Sequence, residues 1–226
     1  MKISSMARSI LSRFQSRDTS MKIHGNSYKR ELMGHSTVEL QMHQDLEESF
    51  KSLGPEFRGV IENAAKSCRV AVDIGAGTGW LSKFLSNYFT TVLSVEPSSD
   101  GVVLGKKLLT QKDIALTNGI YFNLKGEDFF SKCTFLHPTF VIFQTVLSHL
   151  PNEQVTEVLN LSNTSLPCGS VILFSEVYGD EHSEVMWFVR NQLWWKSRMP
   201  EWNLEFFPFS PDGRKEFKGF SAIKVR

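Results

Sequence analysis

The sequence predicts an α/β fold, a mostly parallel sheet with helices on both faces. Three observations carry that expectation. Short apolar runs at 70–74, 91–95, 140–143 and 170–174 have the length of buried strands. Segments with apolar residues at helical spacing lie between several of them, as in βαβ units. The first run, Val70-Ala71-Val72-Asp73-Ile74, also passes through Gly75-Ala76-Gly77-Thr78-Gly79-Trp80 into a segment with Leu81, Phe84 and Leu85 on one helical face. Strand, glycine-rich turn and helix in that order form the local unit of nucleotide-binding α/β domains. Glycine is needed where the chain turns sharply and where a ligand presses on backbone with no room for a Cβ.

The second run ends in Glu96. In a parallel sheet a carboxylate at that strand tip can accept both hydroxyls of a ribose lying over the first loop. Two cofactors suit this plan. A nicotinamide dinucleotide wants its third glycine one position later, whereas here Gly79 comes early and bulky Trp80 follows it. The run Asp73-x-Gly75-x-Gly77-x-Gly79 instead resembles motif I of the class I S-adenosylmethionine-dependent methyltransferases. The resemblance covers about 70 to 223. It implies a Rossmann-like class I methyltransferase fold, a mostly parallel seven-stranded sheet finished by a C-terminal antiparallel hairpin.

The same resemblance implies S-adenosyl-L-methionine as cofactor. Gly75, Gly77 and Gly79 would approach its methionine portion, Glu96 would hold its ribose, and Asp73 would orient the loop and the cofactor's amino group. Ala76, Trp80 and Pro97 complete the set on these two loops. Gly126-Glu127-Asp128-Phe129-Phe130 offers a carboxylate for the adenine amine, Asp128 first and Glu127 next, with an aromatic to cover the ring. In the alternative reading both acids cap a short helix at Phe129. Trp80, Phe143 or Phe129 could face the sulfonium cation.

Methyl transfer is an in-line displacement, so holding the acceptor matters more than acid–base chemistry. The base candidate is His149, in the segment Gln144 to Pro151 after the fourth strand, where Gln144 is a polar contact for cofactor or acceptor. Packing beside the cofactor loop is the competing role for His149. After the fifth strand, Glu176 and Tyr178 are candidates for binding the acceptor, and His182 is a rival base. Trp187, Phe188, Trp194, Trp195 and Trp202 could stack on an acceptor. The four at 187–195 serve equally as core or as the face of a homodimer, and Trp195 with Arg198 is the pair to examine for an anionic acceptor. No Asn-Pro-Pro-Tyr or Asp-Pro-Pro-Tyr follows the fourth strand, which weakens a base or glutamine nitrogen as acceptor.

Taken in order, the chain predicts helices at 37–50 and 56–66, a strand at 70–74, a helix at 78–88, a strand at 91–95 and a helical stretch within 98–116. A strand at 121–124 and the central strand at 140–143 follow, then a helix at 153–161 capped by Asn152. A strand at 170–174, a helix at 184–196 and extended segments at 202–209 and 216–225, joined by the turn Ser210-Pro211-Asp212-Gly213, complete it. The expected organisation is a basic segment at 1–30, a helical cap at 31–66 and the cofactor-binding domain at 67–226. In the stretch ahead of the first strand, His24, Tyr28, His35 and His43 could reach an acceptor, with a plain surface position as the competing reading of each.

Composition narrows the class. With 226 residues, 25 Lys and Arg against 24 Asp and Glu and a net charge of +1, the chain lacks the dominating positive field of an obligate nucleic-acid binder. Three cysteines are too few and scattered for a disulfide framework or structural zinc, and Cys68 and Cys168 read as small buried thiols. No apolar run approaches the roughly 20 residues of a membrane span. Lys2, Arg8, Arg13, Arg17, Lys22, Lys29 and Arg30 stand against the single acid Asp18, with Ile3, Met6, Ile10 and Phe14 at helical spacing, which reads as a solubilising tail, a mitochondrial targeting segment or a weak membrane-surface helix. The expected location is otherwise cytoplasmic. The expected activity is methyl transfer to oxygen or nitrogen of a small-molecule or glycan-like acceptor. An RNA or protein methyltransferase, and a catalytically inactive methyltransferase-like partner protein, are the alternatives.

Overall fold

The computed structural model describes residues 54–111, 117–177, 190–208 and 217–225. These form α1 (Gly54–Ala64), β1 (Val70–Ile74), α2 (Trp80–Leu85), β2 (Thr91–Val95), α3 (Ser99–Gln111), β3 (Gly119–Phe122) and α4 (Gly126–Lys132). Next come β4 (Thr139–Gln144), a single 3₁₀ turn (Leu147–His149), α5 (Asn152–Ser165), β5 (Val171–Val177), α6 (Gln192–Arg198), β6 (Trp202–Pro208) and β7 (Phe217–Lys224). The expectations at 1–50, the turn at 210–213 and most of the proposed cap lie outside the described residues.

Seven strands make one sheet in the order β3-β2-β1-β4-β5-β7-β6. β1 pairs in parallel with β2 on one side and β4 on the other, and β5 continues in parallel from β4. Only β7 runs against its neighbours, pairing antiparallel with both β5 and β6. The strand order therefore reverses between β1 and β4, where open α/β sheets leave a crevice at the carboxyl ends of their strands. Register brings Ile74, Val95, Phe143 and Phe174 to one level. Gly75, Glu96, Gln144 and Ser175 follow at the next level, so the chain leaves all four strands along one edge.

Alternation along the strands explains the uninterrupted apolar runs, because both faces are covered. Ala71, Val92, Phe140, Ile142 and Leu173 face α1 and α2 and pack with Phe57, Ile61, Leu81, Phe84 and Leu85. Val72, Leu93, Val141, Phe143, Phe174 and, on β7, Phe220 face the other way, onto Phe129, Val155, Val158, Leu159 and Trp195.

Several boundaries differ from the sequence reading. α2 is shorter than 78–88 and starts only after Gly79, which sits in the left-handed region at φ 81. β3 lies nearer its amino end than 121–124. Asn152 does not cap α5: Pro151 holds that position, and the Asn152 Oδ1 accepts a hydrogen bond from Arg190 Nε at 2.9 Å instead. The aromatic helix begins at Gln192, where Asn191 caps it by accepting from the Trp194 N–H, so Arg190 and Asn191 are not helical although the expected helix ran over 184–196. Cys168 is exposed, contrary to expectation, because it lies on the turn before β5 and not in the sheet. Among the described residues no helix is long and apolar enough to cross a membrane.

Candidate cofactor and acceptor site

The glycine run turns at every second residue. Gly75, Gly77 and Gly79 have φ of 73, 52 and 81, left-handed values that cost a residue with a Cβ strain. The N–H groups of Gly75 and Ala76 both donate to Val95 O, at 2.8 and 3.1 Å, drawing the loop toward β2. A Cβ on Gly75 would meet Val146 Cγ2 at 2.3 Å. That glycine is therefore required by a neighbouring loop of the protein, before any ligand is considered.

Glu96 is buried, at 4% exposure, and its carboxylate spans two loops. Oε2 accepts from the Gly77 N–H at 2.9 Å and Oε1 from the Ser98 N–H at 2.8 Å. Asn123 Nδ2 donates to the carbonyls of Glu96 and Pro97, at 3.0 and 2.9 Å, and so fixes this loop from the end of β3. Asp73, also buried, turns inward. Its Oδ2 accepts from Ser82 Oγ at 2.6 Å, and that hydroxyl accepts from Ser94 Oγ at 2.7 Å. This chain ties β1, α2 and β2 together beneath the glycine loop. Sequence reasoning missed Ser82, Ser94 and Asn123. The serines left one signal, as polar residues within otherwise apolar strand and helix faces.

Glu127 and Asp128 are half-buried in the first turn of α4, beside the end of β3. The aromatic candidates for the sulfonium and the adenine ring require correction. Phe129 is fully buried, 5.5 Å from both Phe122 and Phe130, and Phe143 is fully buried and stacked 5.5 Å from Phe174. Trp80 is buried with the α1–α2 cluster. Both sheet faces are covered, so aromatics adjacent to the loops became core.

The segment after β4 forms the other wall. Gln144 is half-buried at the strand end, and Thr145 takes φ 55, the one left-handed residue other than glycine among those described. Its N–H donates to Ser175 O at 2.7 Å. The 3₁₀ turn follows, and His149 stands exposed at its end with its N–H on Val146 O at 3.2 Å. Glu176, expected to bind an acceptor, does something else. It is 1% exposed, and Oε1 accepts from the N–H groups of Val146 and Leu147 (3.0 and 2.9 Å) while Oε2 accepts from Ser148 N–H (2.9 Å). Burial pushes its carboxyl up to about 7, against the downward pull of these N–H groups.

Arg190 approaches the same turn from its far end. Nη1 donates to Leu147 O at 2.9 Å and Nη2 to Leu150 O at 2.5 Å. Its own acidity is raised by burial and partly restored by the charge of Glu176. Tyr178, His182, Trp187 and Phe188 lie outside the described residues. Trp195 belongs to the core, 5.3 Å from Phe174 and 4.9 Å from Phe220, and Trp202 is buried with its Nε1 on Asn163 Oδ1. Arg198 lies over Trp194, not Trp195, and Arg190 flanks the same ring. The pair suggested for an anionic acceptor is thus not formed. Among the described residues no group of His, Cys, Asp and Glu is placed to hold a metal ion.

No family model matches the sequence, and no curated protein matches it. Solved structures do share the fold. A DhpI–SAH complex is 14% identical, with 88% of this chain and 94% of that chain covered at a TM-score of 0.60. The glycopeptide N-methyltransferase MtfA is 14% identical over 73% of this chain and 95% of its own, TM-score 0.57. A putative rRNA-methylase from Clostridium thermocellum is 12% identical over 75% and 95%, TM-score 0.55. With the 3-2-1-4-5-7-6 sheet and its single reversed strand, these likenesses show that the chain has the Rossmann-like fold of the class I S-adenosylmethionine-dependent methyltransferases.

Proposed function

We propose that the protein is an S-adenosylmethionine-dependent methyltransferase acting on oxygen or nitrogen of a small-molecule or glycan-like acceptor. One observation carries the reading. Three left-handed glycines leave backbone bare of side chains at the carboxyl end of β1, and the buried Glu96 carboxylate lies 2.9 Å from the second of them. An elongated ligand fits along such a loop, with ribose hydroxyls at Glu96 and the adenine amine at Asp128 or Glu127. When bound, the cofactor supplies a methyl carbon activated by an adjacent sulfonium.

The chain's own work is to hold and to exclude. The loops after β1 and β2 grip the cofactor, and the segment from Gln144 to Pro151 bounds the place where the acceptor must lie. For a hydroxyl acceptor the His149 imidazole takes the proton as the nucleophile forms. An amine acceptor needs only to be neutral. The similar structures include a glycopeptide N-methyltransferase and a putative rRNA-methylase, so acceptor class is argued from this chain's charge. A net charge of +1 favours a small acceptor over RNA, whose phosphates require a Lys/Arg field.

Titration calorimetry with S-adenosylhomocysteine, and with NAD in parallel, tests the cofactor. Binding of the first alone is expected, and binding of NAD alone or of neither overturns the reading. Transfer of a radiolabelled methyl group to pools of small hydroxyl and amine compounds, sugars, RNA and peptides then tests the acceptor. Labelling confined to RNA or peptide overturns the small-acceptor assignment.

A further inference from the structure

We propose that Glu176 and Arg190 are positioning residues for the methyl-transfer site, gripping the loop after β4 from opposite ends and pressing it through Val146 against Gly75 of the cofactor loop. The proposal rests on the methyltransferase reading and adds to it two residues that touch neither reactant.

The grip is complementary in charge. Three successive N–H groups, of Val146, Leu147 and Ser148, converge on the Glu176 carboxylate, a nest of the kind that backbone forms around anions. At the other end the Arg190 fork takes the carbonyls of Leu147 and Leu150 and the side-chain oxygen of Asn152. Anion on the N–H end and cation on the carbonyl end both follow the dipole of the turn, so each charge reinforces the bonds made by the other. Leu147 is held by both, through its N–H and its carbonyl.

Burial makes this an expensive way to stabilise a loop. Glu176 is 1% exposed and Arg190 4%, and desolvating two charges is often no better for stability than apolar packing in their place. What the charges supply is a defined backbone position. That position is strained at Thr145, which holds φ 55 although β-branched, so the loop does not rest there unaided.

The position has a direct output. Val146 is the first residue gripped, and its Cγ2 occupies the space a Cβ on Gly75 would need. Moving Val146 therefore changes the wall behind the first glycine of the cofactor loop. His149 ends the same turn, so its backbone position is set by the same two side chains.

The experiment compares Glu176→Gln and Arg190→Lys with Lys224→Met. Lys224 is buried at the end of β7, beside the start of β5, where its Nζ donates to Asn163 O and Leu166 O, so its loss lowers stability away from the site. Gln keeps one acceptor oxygen but turns a donor toward an N–H, and Lys keeps the charge without the planar fork. Calorimetry with S-adenosylhomocysteine and hydrogen exchange at the Val146, Leu147 and Ser148 amides are the readouts, alongside melting temperature. Both site variants are expected to weaken binding about tenfold and to speed exchange at the three amides. Lys224→Met should lower the melting temperature while leaving both unchanged. Should Glu176→Gln fail to fold, Arg190→Lys delivers the same readouts. Site variants that bind like the wild type, or a Lys224 variant that loses affinity equally, overturn the proposal alone. A wild-type protein that binds no S-adenosylhomocysteine overturns the methyltransferase reading and this one with it.

Discussion

Val146 Cγ2 lies 2.3 Å from where a Cβ on Gly75 would stand, so the loop after β4 and the loop after β1 are fitted to each other at a single methyl group. Gly75→Ala therefore meets two obstacles, the contact and a φ of 73. Together they should destabilise the fold by about 2–4 kcal/mol. Adding Val146→Ala removes the contact but not the backbone strain. The double variant should recover part of the loss in a denaturant titration, and strict additivity of the two changes would show that the residues do not meet.

Glu96 offers a second measurement. Its carboxylate already accepts N–H groups from Gly77 and Ser98, so Glu96→Ala loosens two loops as well as deleting the proposed ribose contact. S-adenosylhomocysteine binding should weaken by about 1–3 kcal/mol, with a modest fall in melting temperature. Unchanged affinity would remove Glu96 from the ribose site. Gly77→Val, at φ 52 beside that carboxylate, should abolish binding outright.

Glu176 predicts a pH dependence of stability. Its folded pKa is raised from 4.5 to about 7, so between those values the folded protein keeps a proton that the unfolded chain has released. Stability contributed by this group is therefore full below about pH 4.5, falls as pH rises through the window, and levels off above about 7. The change is on the order of 3 kcal/mol across the window. Glu176→Gln should be less stable at low pH and should lack this part of the slope. Parallel stability–pH curves for variant and wild type would refute it.

The strands and the glycine turn were legible because their signals are local. An apolar run such as 140–143 reports a strand covered on both faces, and three alternating glycines report a turn that excludes side chains. The place of Glu96, at the tip of β2 and against the glycine turn, was legible from its distance to that turn. Glu176 was misread because a carboxylate that recruits backbone N–H groups leaves no partner pattern in the sequence. Val146, Leu147 and Ser148 serve through their peptides, so their side chains carry no trace of the role. Arg190 was missed for the same reason, since its acceptors are mainly carbonyls. Phe129 and Phe143 were over-read as ligand contacts, whereas the core reading of Trp195 holds. Proximity in sequence to a strand end does not say which face a ring takes, and here the rings filled the layer beneath the loops.

His149 is the last test and the one that reaches the chemistry. It stands exposed at the end of the turn gripped by Glu176 and Arg190, beyond the carboxyl end of β4. If it takes the proton of a hydroxyl acceptor, His149→Ala should lower turnover by about 10²–10⁴-fold and leave S-adenosylhomocysteine affinity near normal. The wild-type rate should rise with pH near neutrality, the range in which an imidazole gives up its proton, and the variant should lose that rise. A packing role predicts the reverse pattern. Cofactor affinity or melting temperature would fall, and the shape of the pH–rate profile would survive. A profile unchanged in the variant would transfer the base role to His182 or Tyr178.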